Sequence, residues 1–421
     1  MKGRIIVIIL VLALLVGGLF LPTKSGLTDA NEPDSNPLTV FSEAEEEAIA
    51  EEESKAQEEK QAEHEESVSG LSENEQQAYA WAALRSEPES ILLMRDRIAD
   101  LNKSWNDTCG RIDILEVPEW TKDDAFAVLT KDQSALPSAA SLGLTAAVFD
   151  ALVSNQNLEG APRDLRLGII LDRTALKALP GAESPDTSTV FCTMPVWILH
   201  PSADGAWDYV QTSYGRGWIS SEKVAFCASK DVWMSYASPD SRIIVTTPEM
   251  VLEGVKVDPG ACFSCLEENS DSYTVLLPIR KNDGSLDATQ LEISREDSNF
   301  GYVDYTWTRL YKQIYRSYET KTELSTDDLI RSIYRTFGID LPPDLTASFE
   351  NLGTMTELAP LPGDERENTM NSIPLPALIE DANGVSLMLG RKDSVWQCLR
   401  AADGKAAILE IEDPQRMVVI K

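Results

Sequence analysis

The apolar positions of this chain repeat with different periods, and the changes of period divide it. Over residues 5–21 the apolar run is unbroken, with Lys2 and Arg4 before it and Pro22 and Lys24 after. That is the make-up of an export signal or membrane anchor over residues 1–24, and the poor cleavage candidate at Ala30 favours a retained anchor. Residues 25–72 have no apolar stripe. Twelve Glu stand against Lys55 and Lys60 between Glu43 and Glu66, so this segment cannot bury a face and is expected to be an acidic, disordered linker. From 73 to 160 the spacing is helical: Ile91, Leu92, Met94, Ile98 and Leu101 predict one stripe, and Phe126 and Leu129 begin another.

From 161 to 230 the runs become short and β-rich, at 167–180, 196–205, 207–210 and 217–224, broken by Asp-Gly and Gly turns; they predict a small barrel. A second, looser β unit is expected over 231–306, with a turn at Asn282-Asp283-Gly284. Helical spacing returns at 310–318, and a core helix is predicted from near Thr326 to near Gly338. Leu329, Ile330, Ile333, Tyr334 and Phe337 form its stripe; Ser325 or Thr326 caps it, Asp327 and Asp328 suit its positive end, and Pro342 stops it. Strand candidates follow at 374–390 and 394–400. The predicted fold class is α+β and multidomain: a helical cap (73–160), two barrels (161–230 and 231–306) and a last α+β domain (307–421).

Charge removes two partner classes. The net charge of −32 repels nucleic acid and anionic lipid headgroups, leaving the N-terminal segment as the expected membrane contact. Only two His are present, His64 and His200, so imidazole chemistry is scarce. Of six Cys, only Cys262-Phe-Ser-Cys265 has a motif-like spacing. With no second pair and no nearby His, a local disulfide or two buried thiols is expected in place of zinc, and no metal or cofactor is predicted.

Three segments carry a family resemblance. The run Leu329-Ile-Arg-Ser-Ile-Tyr-Arg-Thr-Phe-Gly-Ile-Asp-Leu-Pro342 resembles the nucleophile helix of NlpC-type (papain-like) cell-wall cysteine peptidases. Residues 374–390 resemble the strand pair that carries their general-base His. Ser202-Ala-Asp-Gly205, Trp207 and Gly217-Trp218 ahead of Val224 resemble the bacterial SH3 domains of the same enzymes. The resemblance implies a helical cap, two SH3-like barrels and a papain-like domain, in a family that cuts muropeptides between D-glutamate and the following diamino acid. It also implies three catalytic positions: the nucleophile at Thr326, the base at Gly384, and the polar residue that orients the base at or beside Gln397.

Those positions lack the chemistry. A cysteine peptidase needs a thiolate, a base and a group that orients the base. Here a hydroxyl stands for the thiol and a glycine for the imidazole, and two Asp oppose formation of an anion at the helix start. Cys398 would have to recruit His200 from another unit. Adjacent Asp327 and Asp328 do not share a helix face and are explained as capping acids. The expected function is therefore non-enzymatic: an exported, membrane-tethered envelope protein that binds peptidoglycan stem peptides or an envelope partner. Trp207, Tyr209, Trp218 and His200 are ligand-binding candidates, with the alternative that the aromatics fill the barrel core. The competing expectations are an active muropeptide hydrolase with a non-standard nucleophile and an assembly scaffold with a basic partner.

Overall fold

A computed structural model describes residues 71–420 apart from positions 249, 298, 302, 303, 321, 374 and 375. The apolar run at 5–21 and the acidic linker lie outside the described residues. No helix among the described residues is long and apolar enough to cross a membrane. Residues 71–421 form one compact unit.

Four helices come first: α1 (Glu73–Ala82), α2 (Arg95–Thr108), α3 (Lys122–Ser134) and α4 (Ala146–Asn155). Capping boxes start two of them, Ser72 with Glu75 at α1 and Thr121 with Asp124 at α3. The stripe expected to begin at Ile91 begins later. Ile91 and Met94 are 49% and 58% exposed, and the buried positions of α2 are Ile98, Leu101 and Trp105. Met94 sits at the N-cap in extended backbone, so residues before it never enter the helical period.

The first β unit is a seven-stranded sheet of order β3-β2-β6-β5-β4-β1-β7. Its strands are β1 (Arg166–Ile170), β2 (Thr174–Lys177), β3 (Asp186–Val190), β4 (Pro195–Pro201), β5 (Trp207–Thr212), β6 (Gly215–Ser220) and β7 (Val224–Phe226). A helix the sequence pattern did not suggest, α5 (Lys230–Ala237), opens the next segment. Ser229 caps it, and Trp233 and Tyr236, one turn apart, bury against the first barrel. The second unit is a five-stranded sheet, β13-β12-β11-β8-β14, in which β8 is Arg242–Val245 and β14 is Phe300–Gly301, beside a hairpin of β9 (Met250–Leu252) and β10 (Val255–Val257). Strands β12 (Ser272–Arg280) and β13 (Leu286–Ser294) pair along their whole length. Cys262 and Cys265 both lie on β11 (Cys262–Glu268), where residues three apart face opposite ways; both are free thiols, as are the other four Cys.

The last unit packs α6 (Trp307–Arg316), α7 (Thr326–Arg335) and α8 (Leu345–Ser348) on one face of a six-stranded sheet and α9 (Gly363–Asn371) on the other. The sheet order is β15-β20-β16-β17-β18-β19, with β15 at Gly353–Glu357, β16 at Ala377–Asp381, β17 at Gly384–Lys392, β18 at Val395–Ala402, β19 at Lys405–Glu410 and β20 at Arg416–Ile420. The stripe of α7 is fully used: Leu329, Ile330, Ile333, Tyr334 and Phe337 are all buried, each worth about 1.5–3 kcal/mol relative to exposure. Gly338, at φ +77, takes the left-handed conformation that ends the helix. Helix α1 docks on α6, with Trp81 Nε1 donating to the Tyr315 hydroxyl at 3.1 Å and the Trp81 ring stacked on Tyr311.

Candidate functional site

The N-terminus of α7 is where the sequence places a nucleophile. Ser325 caps it, its hydroxyl accepting from the Asp328 backbone N–H at 3.1 Å. The next three residues are each held by a different neighbour. Thr326 Oγ1 accepts from the backbone N–H of Ala401, on β18 (Val395–Ala402), at 3.1 Å. Asp327 Oδ2 accepts from the Leu345 N–H at the start of α8 at 3.1 Å, and burial pushes its carboxyl up. Asp328 accepts from the Thr189 hydroxyl of β3 at 2.9 Å and pairs with Arg331 at 3.0 Å. The Arg331 side chain is 1% exposed; it also donates to the Thr189 carbonyl at 3.2 Å and lies over the rings of Phe191 and Tyr214. The helix start is thus a docking point between the first barrel, α8 and the sheet. Its hydroxyl is anchored, and its two carboxylates are already committed.

Gly384 begins β17 (Gly384–Lys392). It pairs with Asp381 at the end of β16 (Ala377–Asp381), across a tight turn in which the Asn383 N–H donates to Asp381 Oδ1 at 2.8 Å. Its φ is +99, and a Cβ there would meet nothing within 4 Å. Space for a side chain exists, but the backbone conformation is one that L residues rarely adopt. The constraint on a side chain here comes from the backbone of the turn and not from crowding.

The strand register moves the third position. Gln397 opposes Gly390, after a bulge between Met388 and Gly390, so it stands about 20 Å along β17 from Gly384 at roughly 3.3 Å per residue. Leu399, opposite Leu387, and Ala401, against Thr326, occupy the helix-facing side of β18 nearer that end. Gln397 is therefore not placed to orient a group at Gly384. Cys398 faces the other way: it packs with Met370, Met388 and Met417 beneath α9, while Leu387 and Leu399 pack with α7. Its thiol lies 3.4 Å from Arg400, which forms a buried pair with Asp381 at 2.7 Å.

Two of the four ligand-binding candidates prove to be core aromatics. Trp218 is fully buried and Tyr209 is 2% exposed, their rings 5.2 Å apart. The Tyr209 hydroxyl donates to Asp132 of α3 at 2.8 Å, and Asp132 also pairs with Arg216. Helix α3 covers the barrel face on which exposed aromatics were expected. Trp207 is half-buried at the same cluster. His200 is buried against the Phe126 ring, its Nε2 donating to the Asn157 carbonyl at 3.3 Å; burial lowers its pKa, so it is neutral at pH 7. Neither Cys398 nor Thr326 has His200 among its hydrogen-bond partners. Among the described residues, no group of three or more His, Cys, Asp or Glu is arranged to hold a metal ion. The residue that sequence reasoning missed is Arg331. Its signal was a cation one turn after Asp328, between Ile330 and Ser332 on a helix whose apolar face is otherwise uninterrupted.

Comparison with known proteins agrees with this architecture. A family model described as SH3 domain (SH3b1 type) matches residues 184–220, spanning β3 to β6. No curated protein sequence matches the chain. Among solved structures, an NlpC/P60 endopeptidase from Photobacterium damselae subsp. piscicida aligns with a TM-score of 0.55 and 13% identity, over 80% of this chain and 89% of that one. An NlpC/P60 family protein from Bacillus cereus ATCC 10987 aligns with a TM-score of 0.42 and 12% identity, over 60% of this chain and 98% of that one. At such identities the likeness is one of fold. The chain has an NlpC/P60-like α+β fold with a helical N-terminal part and a bacterial SH3-like region.

Proposed function

We propose that this chain is a cell-envelope protein that has kept the NlpC/P60 architecture without its peptidase chemistry, and that it binds peptidoglycan peptides or an envelope partner without cleaving them. One observation carries the reading: Thr326, Asp327 and Asp328 each spend their side chain on a structural hydrogen bond at the helix start where a thiolate would form. A hydroxyl with no imidazole beside it is a poor nucleophile, and two carboxylates at the same turn oppose any developing anion. The turn glycine at position 384 supports the same conclusion from the base's side. The SH3-like region supports the cell-wall setting, and the apolar run at 5–21 supports export with an N-terminal tether. The acidic surface supports a protein or peptide ligand over nucleic acid.

The test is incubation of the purified full chain with purified sacculi and with soluble muropeptides. The expected result is co-sedimentation with sacculi and no new fragment by liquid chromatography and mass spectrometry. Released peptide that disappears in a Thr326→Ala or Cys398→Ser variant would show an active hydrolase and overturn the reading.

A further inference from the structure

A cavity lies at the other end of α7 from Thr326. It measures about 450 Å³, within the roughly 300–1,000 Å³ range of small-molecule sites, and all four parts of the fold contribute to it. Helix α2 and the loop after it form one wall, the first barrel and the second β unit form two more, and the C-terminal end of α7 closes it. Asn102 ties the walls together, accepting from the Asp340 N–H and donating to the Gly338 carbonyl, both at 2.8 Å.

Charge in this cavity runs against the rest of the molecule. Lys103, Arg111, Arg242 and Arg335 line it, against Asp113 and Asp340, in a chain whose net charge is −32. Arg111 and Arg335 share the single carboxylate of Asp340, at 2.7 and 2.9 Å. Their side chains are only 6% and 10% exposed, and the Nε of each is buried with no hydrogen-bond partner. Their terminal nitrogens also donate to the carbonyls of Asp340 and Gly260 and to the Tyr214 hydroxyl, so what the pair offers is excess positive charge in a site of reduced dielectric, where an anion is held more strongly than at the surface. Ile112, Ile114, Met194 and Ile244 supply apolar wall beside this charged end.

We propose that this cavity binds a small organic ligand bearing a carboxylate, with its acid group toward Arg111 and Arg335 and its carbon skeleton along the apolar wall. The site is separate from the helix start at Thr326 and independent of whether the chain binds peptidoglycan there. The excess charge of four cationic side chains against two carboxylates attracts an acid group, and the apolar wall distinguishes an organic acid from a bare inorganic anion.

The experiment is isothermal titration of the full chain with glutarate, inorganic phosphate and glycerol, repeated at low and high salt. Glutarate is expected to bind, more weakly at high salt, and more tightly than phosphate; glycerol is expected to give no heat. Two variants avoid the buried arginines, whose removal could unfold the junction. Lys103→Glu reverses an exposed charge at the rim and should weaken glutarate roughly fivefold. Ala99→Trp, exposed on the cavity wall and free of side-chain hydrogen bonds, should block it outright. Absence of glutarate binding, preference for phosphate, or glutarate binding unchanged in both folded variants would overturn the proposal.

Discussion

Arg331 offers the sharpest test of how the C-terminal unit and the first barrel are joined. Replacing it with Met keeps most of the volume and removes the charge. The salt bridge to Asp328 at 3.0 Å and the bond to the Thr189 carbonyl at 3.2 Å are lost, along with the ring contacts to Phe191 and Tyr214. Breaking one side of a buried ion pair costs about 3–5 kcal/mol, because the remaining partner is left desolvated. Asp328 is 17% exposed, keeps its bond from Thr189, and stands at the positive end of α7, so the lower end of that range applies. Arg331→Met should therefore destabilise by about 3 kcal/mol in urea unfolding followed by tryptophan fluorescence. The double variant Asp328→Asn with Arg331→Met should recover part of that loss, giving a coupling of about 1–2 kcal/mol. A loss below about 1 kcal/mol, or strictly additive effects, would mean that this pair does not hold the barrel to the helix.

Three other outcomes follow from the same geometry. Thr326→Cys should give a thiol that peptide-resolved iodoacetamide labelling finds no more reactive at pH 7 than an ordinary exposed cysteine, with no sacculus cleavage, since the two acids at the helix start oppose a thiolate. Gly384→Ala should cost about 1–2 kcal/mol in urea unfolding, because φ +99 is strained for any residue with a Cβ; a neutral effect would show that the turn relaxes easily. Asp340 supplies a pH signature. Burial alone would raise its carboxyl, but the guanidiniums of Arg111 and Arg335 outweigh it and hold the group below its usual range. A depressed folded pKa contributes stability above the unfolded value of about 3.9, and that stability is lost as pH falls through the folded value. Asp340→Asn should therefore lower stability at pH 7 and flatten the decline below pH 4 in thermal melts.

The elements that carry their own punctuation were legible in the sequence. Helix α7 could be read because its cap, its five-residue stripe and its terminal glycine all agree, and the first barrel because its turns do. Features set by tertiary packing were not legible. Helix α5 lies in a segment of apolar and aromatic residues too short for period alone to separate helix from strand. The position of Gln397 depended on a bulge at Met388 and Gly390, which no pattern of side chains announces. The burial of Tyr209 and Trp218 depends on α3, a helix distant in sequence that supplies Asp132 as a partner. At the helix start, Thr326 could be seen to be a hydroxyl, but not that Ala401 already claims it.

The hairpin at Gly384 also bears on the history open to this protein. Placing an imidazole there by changing one codon would load the turn with backbone strain, so a histidine at this position would require the loop to be reshaped as well. The conformation of this turn therefore ties what position 384 can carry to how the strands on either side are joined.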